Sequence, residues 1–534
     1  MYDTQEIEIS QDRTYSRRQR SETRRTLDTA ENLGDGDIRK AIRPRRFRIG
    51  AGHHVWILFL SLILTATSVV LPFFETLATD FQQFNLYTGG MMMRSQYPFS
   101  DIFATGGFLY YTLIGISKVL GSSLYLLLVQ FLALYVAGGY FYKILLYLVD
   151  DASSSMVGTT VFYLANFSLG FGGLYPMQWA MPFLLAGLWF LIRYFAGIAK
   201  DEGFIGYGLN AALAIVLEPR TLLFWLVAFL FLSLFNISKS RWARGFYQNL
   251  GIVLGLMLVL YTVGYFIFNL ELLMPSLSQA VVYNFSQLAW GDGLLWQTAL
   301  WQIGALFFTG GLLGLLMLPI QFKKFQRDRV SLALFGVVTL LYLVWMALSQ
   351  SWALYLLLPA LPFGLLLTIS SLDAISKRRL AQKNSHRSKD EPSLWRKLLM
   401  SHLAGPLVLV VLGFALPFYQ NLQDITLDRE RAQLVTYLEN DMAAVQELVV
   451  VDTNAEIYLS SDRRSSTAYP VSTLYQSSAS NLAAFEDEFL GSQSEIVIVN
   501  KAVNLSKTIA DRLDKSYEAI TPAGIEEFTV YQLK

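Results

Sequence analysis

Between His54 and Pro417 the chain returns repeatedly to apolar runs near the ~20 residues needed to cross about 30 Å of hydrocarbon. No other feature limits its fold so severely. Backbone groups in lipid must be satisfied within the segment, so runs of this length specify a bundle of helices. Composition agrees. Hydrophobic residues make up 54% of 534 and charged residues 16%, against about 45–50% and 25% in soluble domains. The charges collect toward the two ends of the chain. Aromatic residues reach 14%, with 28 Tyr and 11 Trp, which suits side chains that anchor at membrane–water interfaces. There are no cysteines, so disulfides, thiolate chemistry and Cys-based metal sites are excluded. Four histidines, two of them adjacent at His53 and His54, offer no zinc-motif spacing. A net charge of +1 gives no reason to expect a nucleic-acid partner.

Basic loops mark the cytoplasmic side. They are the tail ending near Arg48, "SKSRWARG" at Ser238–Gly245, "QFKKFQRDR" at Gln321–Arg329 and "SKRRLAQKNSHRSKD" at Ser376–Asp390. Residues 1–50 read as a disordered cytoplasmic tail, too long for a signal peptide and without a cleavage site. Its arginines serve topology or grip anionic lipid head groups. Paired apolar runs separate the later basic loops, and a final run near 402–420 carries the C-terminus outside. The first half holds one run near 55–74 and six more before Lys239, one too many for the parity. The run 103–121, with four glycines and an internal Lys118, is best read as an amphipathic helix on the outer face. Fusing 203–217 with 220–237 is the rival solution, but it would place Glu218-Pro219-Arg220 in mid-membrane. The expectation is about eleven crossings, with the N-terminus inside. The expected domains are the tail 1–50, a transmembrane domain 51–421 with an external loop 75–122, and an extracytoplasmic domain 422–534.

Polar groups gather on the outer side. Glu75, Asp80, Arg94 and Asp101 occupy the first external loop, Glu218 and Arg220 a later turn, and Asp292 the loop 271–294 with Tyr283, Phe285 and Trp290. A carboxylate beside hydrocarbon is partly desolvated, which raises its basicity and fits it to deprotonate a hydroxyl. Arginines offer forked donors for a phosphate or diphosphate. A base, a phosphate clamp and a groove between membrane helices are the parts needed to move a sugar from a lipid phosphate to a hydroxyl. Taken singly, Glu75 also reads as a solvated helix-end residue, Arg220 as a partner of Glu218, and Asp292 as a turn residue.

Beyond 422 the sequence changes character. "DITLDRERAQLVTYLEN" reads as an amphipathic helix leaving the membrane. "ELVVVD" and "SEIVIVN" read as buried strands, "EEFTVYQLK" as a terminal strand, with helices between them. The alternation predicts a small α/β domain with a largely parallel sheet. It carries no Gly-rich phosphate loop or triad spacing, and is expected to cap the external loops.

These features together resemble the GT-C superfamily of polytopic glycosyltransferases, which use lipid-phosphate-linked sugars. The family's acidic residue after the first transmembrane helix matches Asp80. Its external loop matches "YTGGMMMRSQYPFSD", with Tyr87, Pro98 and Asp101, and its aromatic segment matches "TGGFLYY", Thr105–Tyr111. The "YLSSDRR" turn of the C-terminal domain also looks like bacterial members. Two departures stand out: Phe81 follows Asp80 in place of a second acid, and Thr105-Gly106-Gly107 replaces a lysine-diproline. The resemblance implies a mainly α, polytopic bundle and an inverting transferase of the bacterial cell membrane. Asp80, with Glu75, would be catalytic. Arg94 and Arg220 would contact donor phosphate, a guess from chemistry more than motif. Tyr87, Asp101, Tyr110, Tyr111, Trp290 and Asp292 would contact substrate. A divalent cation (Mg or Mn) is possible, the donor would be a polyprenyl-phosphate-linked sugar, and the acceptor a cell-envelope glycan or lipid. A transporter or flippase, and a non-catalytic scaffold of the same fold, are the competing readings.

Overall fold

A computed structural model describes residues 47–286, 294–324, 328–383 and 404–534. Most of the expected tail, part of the loop 376–390, and both Trp290 and Asp292 lie outside the described residues.

Helices dominate, as the apolar runs require. The longer ones are α1 (Ala51–Ala66), α2 (Asp80–Met91), α3 (Phe108–Val119), α4 (Leu124–Val149), α5 (Ala152–Leu169), α6 (Pro176–Phe195), α7 (Gly203–Leu217), α8 (Leu222–Ser238), α9 (Trp242–Asn269), α10 (Leu295–Phe308), α11 (Arg329–Ser349), α12 (Leu361–Lys383) and α13 (Ala404–Asn440). Five are long and apolar enough to cross a membrane: Leu124–Val149, Pro219–Ser238, Trp242–Asn269, Arg329–Ser349 and Val408–Asn440. These are the helices of a membrane protein. The run 103–121 yields only the 12-residue α3, about 18 Å long and well short of a bilayer. Residues 203–217 and 220–237 do not fuse. Glu218 leaves the helical region at φ −139°, ψ 97°, and Pro219 begins a short 3-10 turn.

Close backbone approaches lock this bundle. A Cβ on Gly208 would stand 2.1 Å from the Ile252 carbonyl oxygen, and one on Gly255 2.0 Å from that of Ile205. Glycine at both positions lets α7 and α9 meet backbone to backbone, the device helices use where lipid supplies no hydrophobic drive. Gly107 is equally constrained. Its N–H donates to the Leu217 carbonyl at 3.2 Å, and a Cβ would lie 2.1 Å from the Val216 oxygen. The Thr105-Gly106-Gly107 departure thus has a packing reason: α3 starts against the end of α7.

The chain leaves the bundle through α13, one unbroken helix of 37 residues. At about 55 Å it exceeds any hydrocarbon layer, so its polar second half continues beyond the last apolar stretch. The five-stranded sheet that follows has order β2-β1-β3-β5-β4. Its strands are β1 (Glu447–Val451), β2 (Arg464–Ser465), β3 (Ile496–Asn500), β4 (Tyr517–Ala519) and β5 (Phe528–Leu533). The longer helices between them are α14 (Glu456–Ser461), α15 (Ala479–Gly491) and α16 (Lys507–Ser516). The largely parallel sheet expected from the sequence is corrected to a mixed one. β1 runs parallel to β2 and β3, but β5 is antiparallel to both β3 and β4. The last segment reverses because no crossover helix separates β4 from β5, so the two form a hairpin-like antiparallel pair.

Candidate functional site

The region around Asp80 begins with a helix start. Thr79 and Gln82 form a capping box: the Thr79 N–H donates to Gln82 Oε1 at 2.9 Å, and Thr79 Oγ1 accepts from the Gln82 N–H. This fixes Asp80 as the first residue of α2, where free backbone N–H groups favour a negative charge. Gln82 is fully buried and donates to the carbonyls of Phe171 and Gly173 at 3.0 and 2.7 Å. The start of α2 is thereby tied to the turn between α5 and α6.

The C-terminal domain supplies the other wall. Asn454 Nδ2 donates to Asp80 Oδ1 at 2.9 Å, and Asn454 Oδ1 accepts from the Glu456 N–H at 2.8 Å. Asn454 follows the carboxyl end of β1, where parallel strands usually present ligand-binding groups. Deeper in, Asp452 is fully buried. It accepts from Arg431 Nε and Nη2 at 2.8 and 3.0 Å and from Asn500 Nδ2 at 2.7 Å. Arg431, on the polar part of α13, also donates to Asp428 at 2.6 Å. The Arg431 charge is therefore committed to two other carboxylates.

Asp80 pays for this electrostatically. Its residue surface remains exposed, beside Asn454 of the C-terminal domain. Desolvation raises its pKa from 3.8 to about 6; Asp452 and Asp424 add to the rise, and Arg431 and the Asn454 hydrogen bond oppose it. Glu456 is pushed up to about 7, by burial first and then by Asp428, Asp452 and Glu75 against Arg431. Two carboxyl groups on neighbouring segments thus have pKa values raised toward neutrality, a property concentrated at functional sites. Glu75 and Glu456 line a cavity of about 600 Å³ with Gln83, Lys118 and a set of serines.

The remaining expected residues scatter. Arg94 forms an ion pair with Asp462 and donates to its carbonyl at 2.7 Å, bridging to the C-terminal domain. Arg220 is buried and bidentate to Glu218, at 2.8 Å from Nε and 2.7 Å from Nη2. Its guanidinium lies 5.9 Å from the Tyr355 ring, and Tyr355 stacks on Phe81 at 4.5 Å. One ring thus separates Arg220 from the residue following Asp80. Tyr87 is fully buried, packs on Tyr458 at 5.2 Å and accepts from the Ser465 N–H at 2.8 Å. Asp101 accepts from the Tyr97 N–H and from Ser100 in a local turn. Tyr110 donates to the Leu174 carbonyl, and Tyr111 donates to Asn85 at 3.1 Å. Tyr87, Tyr110 and Tyr111 are buried and hydrogen-bonded within the protein; of the expected residues, Glu75 lines the cavity and Asp80 meets Asn454.

Sequence reasoning missed Asn454, Glu456 and Arg431. For Asn454 and Glu456 the signal was present in "VVVDTNAE", where polar groups follow a buried strand. Among the described residues, no group of three or more His, Cys, Asp or Glu side chains could hold a metal ion.

The fold is similar to the crystal structure of ArnT from Cupriavidus metallidurans bound to undecaprenyl phosphate. The TM-score is 0.51 at 10% identity, covering 90% of this chain and 98% of that one. The apo form of the same protein aligns with a TM-score of 0.49 at 12% identity, over 90% and 97%. The chain has the fold of the polytopic GT-C glycosyltransferases, in line with the resemblance seen in its sequence. Among curated proteins none matches it. The model described as "Putative competence-induced protein Ccs4 N-terminal domain" matches residues 43–425, and the Ccs4 C-terminal domain model matches 428–534. With the first spanning well over half of the sequence, the chain belongs to the Ccs4 family of competence-induced proteins.

Proposed function

We propose that this protein is a membrane glycosyltransferase that moves a sugar from a polyprenyl-phosphate donor to a hydroxyl of a cell-envelope glycan or lipid. The observation that carries the reading is Asp80. It is a carboxylate with pKa about 6, open to solvent, fixed at a helix start and held through one oxygen by Asn454. At pH 7 such a group is mostly ionised yet far more basic than an ordinary aspartate, as a general base should be. Its second oxygen takes the proton of the acceptor hydroxyl. As that O–H bond breaks, the acceptor oxygen bonds the anomeric carbon, and the bond from that carbon to the phosphate oxygen breaks. Polyprenyl phosphate leaves with the electron pair, and the anomeric configuration inverts.

The undecaprenyl phosphate bound to ArnT supports a polyprenyl phosphate partner here. In this reading the chain crosses a bacterial plasma membrane eleven times. Asp80 and the C-terminal domain then lie on the extracytoplasmic side, with α2 and α3 folded back as the floor of the site. Purified protein supplied with a polyprenyl-phosphate-linked sugar and envelope extract should form a glycosylated product. Asp80→Asn should abolish the product while inserting into the membrane normally, and unimpaired transfer by that variant would overturn the reading.

A further inference from the structure

We infer that Gln82 is a positioning residue for Asp80, acting through a strained loop, residues 170–175, that joins α5 to α6. This rests on the function proposed above and names what aims its base. The Gln82 amide has every donor and acceptor site filled. Its Oε1 accepts from the Thr79 N–H at 2.9 Å and from Thr79 Oγ1 at 3.0 Å. Its Nε2 donates to the carbonyls of Phe171 and Gly173 at 3.0 and 2.7 Å. One end of the amide thus holds the residue before Asp80, and the other grips the loop. Phe81, on the other side of Asp80, stacks on Tyr175 of the same loop, with ring centroids 6.0 Å apart and 9° between the planes. Both chain neighbours of Asp80 are therefore fastened to 170–175, and its own side chain is left to meet Asn454.

The loop is an unusual anchor. Gly172, Gly173 and Leu174 stand in succession at φ 79°, 73° and 60°. Glycine adopts that backbone freely, but leucine rarely does, and it stays there only where the surroundings over-determine it. They do so here. The Gly170 carbonyl accepts from Gln178 Nε2 at 3.0 Å, the Gly172 carbonyl from the Val69 N–H at 3.0 Å, and the Leu174 carbonyl from the Tyr110 hydroxyl. The Leu174 N–H donates to Gln130 Oε1 at 3.2 Å, which also accepts from Trp179 Nε1 at 2.6 Å. Side chains of α2, α3, α4 and α6 thus converge on one short stretch of backbone. Gln82, Gln130, Leu174 and Gln178 are all fully or almost fully buried, so water does not compete for these bonds.

Backbone strain of this kind is retained where geometry matters more than stability. A general base must present its free oxygen to the acceptor hydroxyl, and a misplacement of about 1 Å can cost on the order of 10²-fold in rate. Desolvation makes Asp80 basic but does not aim it. The loop supplies a rigid reference, and Gln82 transmits it to the first turn of α2. Only an amide can both accept from the Thr79 N–H and donate to two carbonyls. Phe81, which stands where the resemblance expects a second acid, adds the stacking contact in place of a charge.

The test compares the full-length protein in detergent with Gln82→Glu, which keeps the acceptor for Thr79 and loses both donations to the loop. With a decaprenyl-phosphate-linked sugar as donor, kcat should fall on the order of 10²-fold while the donor KM stays within about twofold. A rise in KM with kcat unchanged would place Gln82 in donor binding and overturn the inference. The second readout needs no transfer. The chain has no cysteines, so Asp80→Cys paired with Asn454→Cys can be cross-linked by a bis-methanethiosulfonate reagent without background. Arg94→Cys paired with Asp462→Cys is the control, an exposed ion pair whose loss costs little. With Gln82→Glu added, the Asp80 pair should cross-link roughly tenfold more slowly, and the control pair at an unchanged rate. Equal slowing of both pairs would make Gln82 a general support of the fold and overturn the inference. An Asp80 pair that is not slowed would overturn it as well. Absence of transfer by the wild-type protein would overturn the function proposed above, and cross-linking would still decide whether Gln82 holds position 80.

Discussion

Asp80 and Asp201 are the same residue in opposite circumstances. Asp201 precedes α7, where burial pulls its pKa up. Hydrogen bonds from Arg244 and Gln248, with the Arg244 charge, outweigh this and hold it below the usual range. Gln248 in turn meets Tyr194 and Asn236, closing a network across α6, α8 and α9. Asp80 has one amide donor, and the nearest arginine is occupied by Asp452 and Asp428. A carboxylate whose charge is answered is a structural fastener. One left under-compensated is basic and available, and the difference lies in which carboxylates the neighbouring arginine pairs with.

The largest effect should separate the two residues directly. Asp80→Asn is expected to lower transfer by roughly 10²–10⁴-fold, the range for loss of a general base, with the melting temperature almost unchanged. Asp201→Asn should leave transfer within about twofold and act on stability alone. Equal losses of transfer from both variants would collapse the contrast.

Next comes the arginine that Asp80 does not own. Arg431→Met leaves Asp452 buried and unpaired, which should cost about 3–5 kcal/mol, visible in denaturant or thermal unfolding of the C-terminal domain. Arg244→Met, at a pair with 41% and 43% side-chain exposure, should cost no more than about 1 kcal/mol. Similar costs for the two would mean that burial does not distinguish the sites.

Packing around α3 should follow. Gly107→Ala forces a methyl against the Val216 carbonyl at 2.1 Å, and overpacking of this kind costs about 1–3 kcal/mol. Loss of transfer together with stability would show that the α3–α7 contact supports the cleft. An unchanged melting temperature would show that the contact yields.

The smallest effect is a shift in pH dependence. Protonated Asp80 cannot act as a base, so transfer should fall as pH drops through about 6. Asn454 stabilises the charged form, so Asn454→Ala should raise the Asp80 pKa and move that limb to higher pH. A limb that stays in place would mean Asn454 orients Asp80 without tuning it.

How far all this could be read in advance varied with range along the chain. The apolar runs, the strands at Glu447–Val451 and Ile496–Asn500, and the break at Glu218-Pro219-Arg220 were legible, because each depends on neighbours within a turn or two. Asp80 stood out for the same reason, as an acid just beyond an apolar run, and the Thr79–Gln82 cap that fixes it is a four-residue pattern. The surroundings of the other expected residues were not legible. Tyr87, Asp101, Tyr110 and Tyr111 belong to one external loop, but membership of a loop does not say which partners each side chain meets.

Local pattern thus determined where helices and strands form and placed a carboxylate at the head of α2. Tertiary structure decided what that carboxylate became. Asn454 reaches it across 374 positions, Arg431 turns to Asp452 instead, and Lys118 meets a cavity roofed by α14. Desolvation and charge compensation depend on distances through space, and those distances exist only once residues remote in the chain have been packed together.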